Sequence, residues 1–192
     1  MSVTWDGLLL IDKANGPTSH DVVQSVRRLT GQRRVGHAGT LDPLATGLLP
    51  VLLGRATRLA RFLPHSPKHY DGLLRLGLTS VTDDITGEAL TRHTGTLPDP
   101  ATVIAAAERL EGSYPQIPPT VSARKVGGKR LYRLAREGIR AEVAPRQVDV
   151  SRFEVAPIED DPAQYEFSAE VSGGTYVRAL IRDLGAALGC GG

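Results

Sequence analysis

The stretch GHAGTLDPLATGLLPVLLG, residues 36–54, carries a single acidic side chain, Asp42, set between Leu41 and Pro43 in an otherwise apolar, glycine-rich segment. Its last part, LLPVLLG, reads as a short buried strand, an apolar run ended by glycine. From Arg27 to Arg61 there are seven arginines and no second Asp or Glu. A lone carboxylate in a basic segment is either a turn former ahead of proline or a chemical group, and the residues alone leave both open.

On either side of that stretch the chain alternates short elements. VTWDGLLLID (3–12) reads as an opening strand. TSHDVVQSVRRLTG (18–31) reads as a helix, with Thr18 and Asp21 at capping-box spacing, Val22, Val23, Val26 and Leu29 as its buried stripe, and Gly31 as its end. RATRLARFL (55–63) follows as a basic helix and HYDGLLRLGL (69–78) as a strand. DPATVIAAAERLEG (99–112) is a helix capped by Asp99, and RQVDVSRFEV (146–155) and YEFSAEVS (165–172) are alternating strands. The last helix, in GGTYVRALIRDLGAALG (173–189), is expected to be capped by Thr175, with Tyr176 and Arg178 in its first turn. The 21 Gly and 13 Pro between these elements favour a loop-rich α+β fold.

A chain of 192 residues fits one ordinary domain and buries roughly 70% of its unfolded surface. Its single cysteine, Cys190, excludes an internal disulfide framework and a cysteine-rich zinc site, and suits a reducing compartment. The start has no basic leader and only a short apolar run, so a cytoplasmic protein with no membrane segment is expected. The net charge of +2 hides its distribution. Residues 27–61 and 120–146 each sum to +6, while 147–170 hold seven acids against Arg152. Two basic segments suggest a polyanion-facing side, against the plainer reading of solvated charged faces.

Several chemistries drop out. GHAGT lacks the lysine of a phosphate-binding loop. His65 and His69 are four apart, but Pro64 and Pro67 break the helix that would put both on one face and no third ligand is near in sequence, so no metal site is expected. There is no Gly-x-Ser-x-Gly elbow, and Asp83 and Asp84, the nearest candidates for a second acid, sit in a turn-like TDDITGE.

Five segments in order resemble the motifs of the TruB family of tRNA pseudouridine synthases. They are LLIDKANGPTSHDVV (9–23, with Ala14 where the family usually has proline), GHAGTLDPLATGLLPVLLGRATRL (36–59), KHYDGLLRLGLTSVTDDITGE (68–88), QIPPTVSARKVGGKRLYRLAREG (116–138) and VSGGTYVRALIRDLGAALGCG (171–191). The resemblance implies the pseudouridine synthase fold, a mainly antiparallel central sheet flanked by helices and loops. It also implies cofactor-free isomerisation of a flipped-out uridine, usually at position 55 in the tRNA T-loop.

By the same match Asp42 is the catalytic carboxylate, Arg178 its cationic partner and Tyr70 the aromatic that stacks on the base. His37 and Tyr176 help position the nucleotide, and Lys13 is carried over either as a binding residue or as a buried structural lysine. Arg124, Lys125, Lys129 and Arg130 belong to the family's basic insertion, around 120–146, and are expected to meet phosphates of the tRNA T-arm. A monomeric catalytic domain spanning 1–192 is expected, without the C-terminal PUA domain common in the family. Two other readings are an RNA-binding or tRNA-folding module with weak or no catalysis, and the catalytic subunit of a guide-RNA-directed synthase.

Overall fold

The structure is a computed structural model that describes residues 4–65, 67–120, 122, 125–126, 129–130 and 143–192. They fall into two compact units, Met1–Ser66 and Pro67–Gly192.

In the first unit β1 (Gly7–Lys13), β2 (Val35–His37) and β3 (Gly47–Leu53) form an antiparallel sheet with β3 in the middle. Helix α1 (Ser19–Thr30) packs Val23 and Val26 against Val35, Leu49, Val51 and Leu53. Its start is the expected capping box: the Thr18 hydroxyl accepts from the Asp21 amide at 3.1 Å, and the Asp21 carboxylate accepts from the Thr18 amide at 2.9 Å. Gly31 ends it with a left-handed φ of 65°.

The expected buried stripe needs one correction, because Leu29 is 86% exposed. The buried line of α1 runs through Ser19, Val23 and Val26, and Leu29 falls roughly 90° away from it around the helix. The basic helix after β3 forms, but as a 3-10 helix, Gly54–His65. With three residues per turn, exposed Arg55, Arg58 and Arg61 stack along one ridge.

In the second unit β4 (Lys68–Arg75), β7 (Gly112–Gln116), β10 (Arg146–Ile158) and β11 (Asp161–Val171) form an antiparallel sheet in the order β4-β11-β10-β7. Two small hairpins pair β5 (Leu78–Ser80) with β6 (Ala89–Arg92) and β8 (Lys125–Val126) with β9 (Lys129–Arg130). Helices α2 (Pro100–Glu108) and α3 (Val177–Ala187) complete it, their Val103, Ala107, Leu180 and Leu184 sharing a core with Phe153 and Tyr165 of the sheet.

Strand β4 alternates cleanly, with Tyr70, Gly72 and Leu74 on the core face. Position 72 requires glycine because a Cβ there would stand 2.8 Å from the Phe167 ring, which packs edge-on to Phe153. Asp99 caps α2 through the Thr102 amide at 3.0 Å, as expected, but the helix stops at Glu108 and the chain enters β7 at Gly112. The start of α3 also differs from expectation. Its N-cap is Tyr176, not Thr175, whose hydroxyl instead meets that of Ser172 at 3.2 Å.

Candidate active site

In the first unit Asp42 lies on the loop between β2 and β3, and its two neighbours are tied to the β1–α1 connection. The Ser19 hydroxyl donates to the Leu41 carbonyl and accepts from the Leu41 amide, both at 3.0 Å. On the other side the Pro43 carbonyl accepts from the Gly16 amide at 2.9 Å and from Lys13 Nζ at 3.1 Å. The Asp42 carbonyl accepts from the Ala45 amide at 3.0 Å, closing a turn around Pro43.

Lys13 is only 1% exposed, and its ammonium also donates to the carbonyls of Ala14 and Pro17, each at 2.9 Å. Burial pushes its pKa down, against the negative charge of Asp42, which pulls it up. With its ammonium directed at three backbone carbonyls, Lys13 ties the acid loop to the β1–α1 connection through the Pro43 carbonyl. His37 closes β2, and its Nδ1 meets the Gly39 carbonyl.

The arginines of this unit are not one class. Arg27 donates to the Val35 carbonyl at 2.8 Å and ties α1 to β2, and Arg55 pairs with Asp6 at 2.6 Å. Arg28, Arg33, Arg34, Arg58 and Arg61 are exposed.

In the second unit Tyr70 lies on β4 opposite Ala169 of β11, half-buried against the core. Strand β11 leads into the Tyr176–Arg178 segment at the start of α3. Arg178 donates to the Thr82 carbonyl and stands 3.8 Å from the Asp84 carboxylate, both groups largely buried. One turn further along α3, Arg182 pairs with Asp83 at 3.0 Å and donates to the Ile117 carbonyl at 2.7 Å.

The two adjacent acids are pushed apart. Burial dominates at Asp83 and raises its pKa despite Arg182. At Asp84 burial also pushes upward but is outweighed by hydrogen bonds from Thr86 and Thr82 and by the charge of Arg178, so its carboxyl is held below the ordinary value. Residues 83 and 84 do lie in the turn expected for them, with φ of 56° at Asp83.

Three residues escaped the sequence reading: Asp84 as a partner of Arg178, and Tyr114 and Gln116 of β7. Arginines four apart at 178 and 182 share a helix face, and two consecutive acids in a turn were the matching signal for the first. Gln116 opens the fourth motif segment, but nothing local marks its contact with Tyr176, sixty residues later in the sequence. Of the basic insertion, Lys125 and Arg130 occupy opposed positions of the β8–β9 hairpin and Lys129 faces Val126, while Arg124 lies outside the described residues.

The family model of the TruB family pseudouridylate synthase N-terminal domain matches residues 27–177, which takes in the acid loop, Tyr70 and Tyr176. The chain belongs to the TruB family. Relatives named tRNA pseudouridine synthase B are 50% identical over 193 residues in Thermobifida fusca (97% of this chain, 66% of that one) and 46% identical over 194 residues in Mycobacterium tuberculosis H37Rv (100% and 65%). The chain thus spans just under two thirds of the length of these curated relatives.

Among solved structures, a chain of a Cbf5-Nop10-Gar1 complex is 32% identical with a TM-score of 0.69, matching 96% of this chain and 45% of that one. A chain of an H/ACA RNP bound to a substrate RNA containing 2'-deoxyuridine is 29% identical with a TM-score of 0.66, matching 96% and 44%. The TruB-family fold, with its antiparallel sheets and few helices, is the one the sequence led us to expect. Among the described residues no helix is long and apolar enough to cross a membrane.

Proposed function

We propose that the chain isomerises a tRNA uridine, at position 55 of the T-loop, to pseudouridine. The carrying observation is the acid loop: Asp42, anchored through Leu41 on one side and Pro43 on the other, in a chain of the TruB family. The reaction breaks the bond between the sugar and N1 of the base, turns the base and joins the sugar to C5. The C5 hydrogen leaves to water and N1 gains a proton, so atoms balance without a cofactor. An ionised Asp42 supplies the carboxylate that starts it, and Tyr70 supplies a stacking face, such faces being worth about 1–3 kcal/mol per base. Arg178 supplies positive charge, and Lys125, Lys129 and Arg130 meet the phosphates of the T-arm.

The relatives at 46–50% identity carry a tRNA enzyme's name, which favours tRNA as substrate over a guide-directed target. Tritium release from tRNA labelled at uracil C5 tests the proposal. The wild type is expected to release tritium without guide RNA, and Asp42→Asn to lose about 10⁴-fold or more of the rate while still binding tRNA. Wild-type binding without release leaves an RNA-binding module. Release only when guide RNA is added makes the chain a guide-directed subunit.

A further inference from the structure

The N-cap position of a helix ordinarily takes Ser, Thr, Asp or Asn, whose side chain bonds the first free amides. In α3 that position is Tyr176, which makes no side-chain cap bond. What is held instead is the backbone of the N-cap residue itself, by a side chain of strand β7. Gln116, at the end of β7, accepts from the Tyr176 amide through Oε1 at 2.9 Å and donates from Nε2 to the Tyr176 carbonyl at 3.2 Å. One side-chain amide therefore brackets the backbone of residue 176 from both ends. The orientation of that amide is fixed by its partner, because the Tyr176 N–H can only donate and must face the oxygen.

The bracket is itself held. Gln116 is 1% exposed, and Nε2 also donates to the Tyr114 hydroxyl at 2.9 Å. Tyr114 in turn donates to Asp183 Oδ2 at 3.2 Å. Asp183 belongs to α3 and lies seven residues beyond Tyr176, about two turns along and on the same side. Strand β7 thus grips α3 at two points, fixing both the rotation of the helix about its axis and the place where it begins. Arg178 lies between those points.

We infer that Gln116 is a positioning residue of the active site: by holding the backbone of the N-cap residue from strand β7 it fixes where α3 begins and sets Tyr176 and Arg178 for the uridine. The inference rests on the function proposed above, and its test keeps the two apart. Full-length wild type, Gln116→Ala and the equally sized Gln116→Glu are compared by hydrogen exchange over residues 174–180 and by steady-state tritium release.

Exchange at the start of α3 is expected to rise about tenfold or more in Gln116→Ala while α2 stays protected. At saturating tRNA, kcat per folded molecule is expected to fall about 10- to 100-fold with KM nearly unchanged, the signature of displaced rather than lost contacts. Gln116→Glu keeps the acceptor for the Tyr176 amide but loses the donor to its carbonyl, and the same loss in kcat is expected should the alanine variant not fold. Unchanged exchange removes the clamp. Raised exchange with unchanged kcat removes its part in the reaction. An inactive wild type overturns the proposed function and leaves the clamp to the exchange data.

Discussion

Asp42 and Arg178 are held by opposite means. The acid loop is tethered through its backbone, with Ser19 on Leu41 and with Lys13 and the Gly16 amide on Pro43. Arg178 sits on a helix whose start is clamped from β7, and its guanidinium is then met by the Thr82 carbonyl and Asp84. The contrast follows from side-chain length. A short aspartate is placed once its Cα is placed, whereas a long arginine retains rotamer freedom worth about 2 kcal/mol unless its far end is also fixed. Backbone ties decide where a side chain starts, and charge partners decide where it ends.

The largest expected effects fall on the cores behind each device. Leu180→Ala, in α3, is expected to destabilise the protein by about 3–5 kcal/mol, and Val51→Ala, in β3 of the first unit, by about 2 kcal/mol. Urea unfolding followed by hydrogen exchange reads both, and a larger loss at Val51 would reverse the ranking of the two cores.

Next comes Lys13→Met, which keeps the stem but leaves three carbonyls without their cation. A loss of about 1–2 kcal/mol is expected, with faster exchange at residues 41–45. If the loop stays protected, the Ser19 and Gly16 ties are sufficient without the lysine.

A pH experiment probes the second unit. Burial pushes the Tyr114 hydroxyl up to about 12, against an ordinary value of 10.0. Between those values the unfolded chain has lost a proton that the folded protein retains, so stability is expected to fall as pH rises from 10 towards 12. Phenolate absorbance locates the ionisation, and Tyr114→Phe is expected to flatten that limb. The smallest effect belongs to Leu29→Lys, within about 0.5 kcal/mol of wild type because the side chain is in water. A loss comparable to that at Val51 would restore Leu29 to the buried stripe.

Local elements were legible wherever a short-range interaction sets them. Thr18 and Asp21 form their capping box, and Asp99 caps α2, because donor and acceptor are three residues apart. Thr175 carries the same local signal and does not cap α3; the helix begins one residue later, the Thr175 hydroxyl meets Ser172, and Gln116 holds the Tyr176 backbone from a distant strand. Leu29 shows the same limit, because periodicity names an apolar face while the sheet beneath selects which part of it is covered. The candidate residues Asp42, Tyr70 and Arg178 could be named from their motifs, but Asp84 as the neighbour of Arg178 could not. That pairing joins a turn to a helix more than ninety residues later in the chain.

By itself, then, the sequence determined most of the elements, the caps of α1 and α2, the family and the candidate acid Asp42, all of which depend on residue types at short spacing. Only the tertiary structure decided that Lys13 serves the acid loop from inside, that two arginines of α3 face two adjacent acids, and that an amide on β7 holds the backbone where α3 begins. Each is a contact between segments far apart in the chain, and it exists only because packing the sheets and helices brings those segments together.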